Sequence, residues 1–181
     1  DVDTAVAIVT PICDAVRDIG EEALREYAER FDRVVPETFR VPTDVLASCA
    51  AEMDAGVRAA FEESIRRRRI VADVERNPDS VAVELAPGAT VEVRSVPVSR
   101  VGLYVPGGLA PLASSVLMNV VPAQAAGVES LAVATPPQPE HGGWPDPNVL
   151  GLCHLLGVDE VYAVGGAQAI AMFAHGVERV C

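Results

Sequence analysis

The chain has 181 residues, enough for one domain of ordinary size with a proper core, or one domain plus a small appendage. Its 14 arginines, no lysine and 26 acids give a net charge of −12, which argues against nucleic acid or an anionic membrane as partner and for a small molecule. No stretch reaches the roughly 18 apolar residues of a membrane span, and the N-terminus lacks the basic and apolar runs of a signal peptide, so the expected location is cytoplasmic.

Residues 1 to 100 carry 33 of the 40 charged side chains, which predicts an exposed helical first half and a largely buried second half. In "GEEALREYAERF", Leu24, Tyr27, Ala28 and Phe31 fall at i, i+3, i+4 and i+7, one apolar face of a helix with acids in its first turn. A second helix is expected at "PTDVLASCAAEM", with Thr43 as N-cap. A third runs from about Gly56 to Glu75, with Val57, Ala60, Phe61, Ser64, Ile65 and Val71 on one side. "RRRR" at Arg66 to Arg69 wraps round that helix, because successive residues point about 100° apart; solvated arginines paired with nearby acids are expected there. The four cysteines, Cys13, Cys49, Cys153 and Cys181, are too scattered for a zinc ribbon or redox pair and read as reduced thiols.

"VAVEL" and "TVEVRSV" alternate around "APGA" and read as a hairpin, Val81–Leu85 with Thr90–Val96. The pattern then changes to strand and helix in turn. "RVGLYV", "SLAVAT" and "EVYAV" are short apolar strands. "SSVLMNVVPAQAAG" is a helix capped by Ser114 or Ser115 and closed by Gly127, "PDPNVLGLCHLLG" a helix ending at Gly157, and "AQAIAMFAHG" a last helix. This alternation predicts an α/β fold with a parallel sheet covered on both faces. "PPQPEHGGWPDP" reads as a surface loop. The expected division is a helical segment at 1–78, then a hairpin and Rossmann-like α/β domain at 79–181 that stops short at its C-terminal end.

Two strand-to-helix turns carry paired glycines, Gly107 and Gly108 in "YVPGG" and Gly165 and Gly166 in "VGGAQAI". Both lie at the carboxyl edge of the sheet, where helix N-termini and close backbone approach favour an anionic ligand. The same glycines also suit turns that are merely tight. G-x-G-x-x-G is absent, and where a Rossmann acid should follow the second strand the chain has Thr135 and two prolines. Tyr104, at a strand exit, suits either a flat ligand ring or a core position with a satisfied hydroxyl. Gln168, in the first turn after "VGG", points its amide at the same edge. His141, His154 and His175 have no metal-ligand spacing, and no P-loop or nucleophile elbow is present.

Three separated stretches, "VGLYVPGG", "APLASSVLMNVVPAQAAGV" and "GVDEVYAVGGAQAIAMFAHG", closely resemble the N-terminal part of histidinol dehydrogenase. "VRDIGEEALREYAERFD" resembles that family's N-terminal segment, except that Glu21 stands where the family usually has Asp, so the likeness covers essentially the whole chain. The resemblance implies an incomplete Rossmann type of fold related to aldehyde dehydrogenases. It implies oxidation of L-histidinol through L-histidinal to L-histidine in histidine biosynthesis, with two NAD⁺ and a zinc ion, in a homodimer of intertwined subunits. It assigns Tyr104 and Gln168 to NAD contact, with Gly107, Gly108, Gly165 and Gly166 allowing the backbone to approach the cofactor. The family's catalytic Glu-His pair, zinc ligands and "AGPSE" segment are expected after residue 181, so no catalytic or metal residue is assigned here and the 181 residues alone are expected to be inactive. Two alternatives stand beside this reading: another NAD(P)-dependent enzyme of the aldehyde dehydrogenase-like class, and a non-catalytic α/β binding or assembly module.

Overall fold

Buried Val, Leu and Ala side chains in the second half force its short strands into the centre of the molecule, with helices on either side. The computed structural model describes residues 1–76, 80–107 and 112–181. Strands β3 (Arg100–Tyr104), β4 (Ser130–Thr135) and β5 (Val161–Ala163) form a parallel sheet in the order β3-β4-β5. Tyr104 pairs with Ala134 and Thr135 with Ala163, so the three strands end level with one another. Between and after them run α5 (Ala113–Ala125), α6 (Pro147–Leu155) and α7 (Gly166–His175).

Side chains alternate along a strand, and here each parity meets its own core. Val133, Val161 and Ala163 join Val41, Leu46, Ile65, Val116, Val120 and Leu150 on one face. Ala132, Ala134 and Tyr162 join Val16, Leu24, Tyr27 and Met172 on the other. The helices of the first half supply much of both layers: α1 (Val2–Ile19) and α2 (Glu21–Tyr27) on the second face, α3 (Thr43–Glu52) and α4 (Ala55–Glu75) on the first. The first half also covers a sheet edge. Val41 N–H donates to Val161 O at 2.8 Å and Ala163 N–H to Phe39 O at 2.7 Å, an antiparallel bridge that occupies the outer side of β5.

Several local expectations need correction. The helix at Val2–Ile19 was not expected from the sequence; it carries Pro11 in its interior and starts on Asp1, whose side chain accepts from Asp3 N–H. Thr43 is the first helical residue of α3, not its cap: Pro42 holds that position, without a side-chain hydrogen bond. Ser114 and Ser115 likewise lie inside α5, which begins at Ala113 after Leu112. After Tyr27 the chain makes a π-helical turn, Ala28–Asp32, whose extra residue per turn rotates Phe31 off the buried stripe. Phe31 is 50 % exposed and stacks on Tyr27 at 5.6 Å between ring centres. In α4 the inward residues are Ile65 and Ala72, while Val71 and Ala60 face outward. The expected arginine pairing holds: Arg66 and Arg67 both bond Glu63, and Arg68 bonds Glu75.

The hairpin forms as β1 (Ser80–Ala86) and β2 (Ala89–Arg94), its second strand ending two residues before Val96. Val81 faces Val93 and Val83 faces Val91, and every residue of both strands is exposed. "PPQPEHGGWPDP" is not a plain surface loop, since Pro136, Pro137, Gln138, Gly143 and Pro145 are buried. The four cysteines are free thiols.

α3 and α6 approach so closely that a Cβ on Gly151 would lie 3.1 Å from Cys49 O and 3.2 Å from Ala50 Cα. Backbone atoms cannot swing aside, so a branched side chain there must separate the helices. Gly151→Val is expected to cost about 1–3 kcal/mol in denaturant unfolding, as overpacking does; an unchanged midpoint would show that the crossing is loose.

Candidate functional site

The carboxyl ends of β3, β4 and β5 open into a crevice of about 480 Å³ lined by residues from both halves of the chain. β3 delivers Tyr104, followed by Val105, whose N–H donates to Ala134 O at 2.8 Å, and then Gly107. β4 delivers Thr135 and Pro136. β5 leads to Gly165, in extended conformation, and to Gly166, which opens α7. Gly108 lies outside the described residues.

These turns are built on one another. Gly166 N–H donates to Tyr104 Oη at 3.0 Å, joining residues 62 positions apart. Asn119 Nδ2, on α5, donates to Tyr104 O at 3.2 Å, so the tyrosine is held from its backbone as well. A Cβ on Gly107 or on Gly165 would come within 3.0 Å of the Pro136 ring, so that ring packs directly against both glycine turns. Gly166 has φ +60°, and a Cβ there would fall 2.6 Å from Gln168 Oε1. Glycine is therefore needed at 166 for conformation and for space.

Gln168 is 2 % exposed, and its Oε1 has no hydrogen-bond partner. It does not cap α7: the cap position is Gly165, with no side-chain hydrogen bond. A buried amide oxygen left dry costs free energy that a donor from a ligand would recover. Of the site residues expected from the sequence, Tyr104, Gly107, Gly166 and Gln168 line this crevice, while Gly165 abuts two of its lining residues, Pro136 and Asp32. Other lining residues are not among those expectations: Pro136 lies in a stretch that reads as loop, and Asp32 comes directly after the stretch that reads as amphipathic helix. Burial pushes the Asp32 carboxyl up to about 6, and its Oδ2 is the second unpartnered acceptor of the crevice.

At the opposite edge of the sheet Arg100 donates to Ser130 Oγ at 2.9 Å and to Glu160 at 2.5 Å, and Tyr162 Oη donates to the same carboxylate at 2.6 Å. Among the described residues, no three His, Cys, Asp or Glu side chains converge as metal ligands. His154 and His175 stand in the last turns of α6 and α7.

Gly166→Ala tests the turn. The left-handed conformation costs a non-glycine residue roughly 1–2 kcal/mol, which for a chain of this size lowers the melting temperature by about 2–8 °C. An unaltered melting temperature would mean that the turn relaxes freely and that Gln168 is not held by it.

Comparison with known proteins agrees over the whole chain. The family model for histidinol dehydrogenase matches residues 1–181. The chain is 68 % identical over 179 residues to the histidinol dehydrogenase of Cutibacterium acnes, covering 98 % of this chain and 41 % of that protein. It is 62 % identical over 176 residues to that of Thermobifida fusca, covering 97 % of this chain and 40 % of the relative. The crystal structure of histidinol dehydrogenase from Elizabethkingia anophelis superposes with a TM-score of 0.88 at 27 % identity, over 97 % of this chain and 40 % of that one. The chain thus spans about 40 % of the length of the curated relatives it matches. From end to end, it belongs to the histidinol dehydrogenase family.

Proposed function

We propose that this chain forms the dinucleotide-binding side of an enzyme that oxidises L-histidinol through L-histidinal to L-histidine in the cytoplasm, with NAD⁺ as oxidant. One observation carries the cofactor assignment: a buried Gln168, whose Oε1 has no partner, lines a crevice at the carboxyl edge of a parallel sheet together with two glycines, Gly107 and Gly166. That edge is where open α/β sheets bind nucleotides. The residues fit the group. Gly107 and Gly166 line the crevice without side chains, Gln168 offers an acceptor, and Tyr104, already accepting from Gly166, keeps its hydroxyl proton for donation. When bound, NAD⁺ supplies hydride acceptance, twice per histidine formed. The chain's own part is to bind and orient: Tyr104 and Gln168 fix the cofactor by hydrogen bonds, and the apolar walls exclude water.

Family membership extends the proposal to a homodimer and to a zinc ion that holds the substrate. The described residues contain no ligand set that fits zinc. No described helix is long and apolar enough to cross a membrane.

Gln168→Ala in the natural full-length polypeptide tests the cofactor assignment. Loss of one neutral hydrogen bond, about 0.5–1.5 kcal/mol, should raise the Michaelis constant for NAD⁺ a few-fold to about tenfold, with that for histidinol unchanged. Unchanged NAD⁺ kinetics with a lowered melting temperature would remove Gln168 from the site.

A further inference from the structure

Three buried side-chain polar atoms among the described residues lack a partner, and two of them, Gln168 Oε1 and Asp32 Oδ2, belong to the same crevice. Asp32 has no evident structural duty. It closes the π-helical turn after α2, yet no hydrogen bond or ion pair is formed by its carboxylate. The neighbouring cations do not serve it, since Arg30 lies over the Phe31 ring at 5.1 Å and Arg33 is exposed. From α1 the crevice receives only Val9 and Ile12, and the other titratable groups lining it are Tyr104 and Glu140. Asp32 Oδ1 would be 3.1 Å from a Cβ on Gly165, so the carboxylate stands against the same glycine turn that Gln168 follows.

An ionised carboxylate is an acceptor only, with two oxygens that suit two adjacent donors. A dinucleotide offers such a pair in the vicinal hydroxyls of a ribose. In a complete Rossmann fold an acid at the end of the second strand takes that role; here that strand ends in Thr135 and Pro136, which supply no carboxylate. Resting on the NAD⁺ reading above, we infer that Asp32, delivered from the N-terminal helical segment, accepts hydrogen bonds from the 2′- and 3′-hydroxyls of the adenosine ribose and selects NAD⁺ over NADP⁺. A 2′-phosphate would remove one donor and set negative charge against the carboxylate. Asp32 lies 72 positions before Tyr104 in the chain and belongs to neither glycine turn.

The ligand-free site has a cost that makes the role separable from a structural one. With its folded value at about 6 against an ordinary value of 3.8, Asp32 favours the folded state while protonated, and that contribution is lost as pH rises from about 4 through 6. Asp32→Asn should therefore melt higher than the wild type at pH 7.5 without ligand, and no higher at pH 4. Donors from a ribose act in the opposite sense, favouring the ionised form. Wild-type affinity for NAD⁺ should accordingly fall about tenfold between pH 7.5 and pH 5.

The test is calorimetric binding of NAD⁺ and NADP⁺ to the natural full-length polypeptide, wild type and Asp32→Asn, with melting curves on the same preparations. The expected result is NAD⁺ binding weakened about ten- to hundredfold by the substitution, NADP⁺ binding much less affected, and a higher melting temperature without ligand. Equal weakening of both cofactors, or unchanged NAD⁺ affinity, overturns the inference. If Asp32→Asn does not fold, the wild-type pH series decides: affinity flat from pH 7.5 to 5 overturns it. Loss of NAD⁺ binding in Gln168→Ala but not in Asp32→Asn removes this inference and leaves the cofactor reading intact. A wild type that binds neither dinucleotide removes both.

Discussion

The hydrogen bond from Gly166 N–H to Tyr104 Oη holds the candidate site together. It ties the exit of β3 to the start of α7 across the intervening β4, and so sets the distance between the two glycine turns. The other features follow from that spacing. Pro136, at the end of β4, packs against Gly107 on one side and Gly165 on the other. Gly166 takes a left-handed conformation so that its N–H can face the tyrosine, and the same turn lodges Gln168 beneath it with an oxygen that no protein group satisfies.

The two edges of the sheet differ in a way that assigns them different duties. At the amino edge, Arg100, Ser130, Glu160 and Tyr162 connect all three strands through bonds of 2.5–2.9 Å. Burial opposes ionisation of Glu160, but its bonds from Tyr162 and Arg100 hold it below the usual carboxylate range. At the carboxyl edge, two buried acceptors go unmatched. A buried acceptor without a partner is costly, and residues that carry such acceptors along a crevice suit a ligand rich in hydroxyl and amide donors.

The strands were legible because continuous runs such as "SLAVAT" admit one arrangement, burial on both faces, and the structure distributes their alternate residues between two cores. The glycine turns were legible for a related reason: few residues tolerate such close approach. Helix starts were not. Thr43, Ser114 and Ser115 have side chains able to cap, but capping needs a particular place before the first turn, and Pro42 and Leu112 occupy it. Period-3.6 reasoning placed Phe31 in the core and gave Asp32 no role, because a π-helical turn shifts both by the extra residue and composition carries no sign of it. The helix at Val2–Ile19 was missed behind Pro11, yet it covers the second face of the sheet through Val16 and Ile12. The site therefore draws on both halves of the chain, while only its contribution from the second half was visible beforehand.

About 40 % of the length of the curated relatives corresponds to this chain, and the crevice is the part of the proposed reaction that its residues can account for. We propose that this crevice receives NAD⁺. The most direct measurement is a crystal structure of the natural full-length polypeptide with NAD⁺ bound. The dinucleotide is expected against Gly107 and Gly166, with cofactor atoms at hydrogen-bond distance from Tyr104 Oη and Gln168. Dinucleotide bound elsewhere, with Gln168 Oε1 still without a partner, would contradict this.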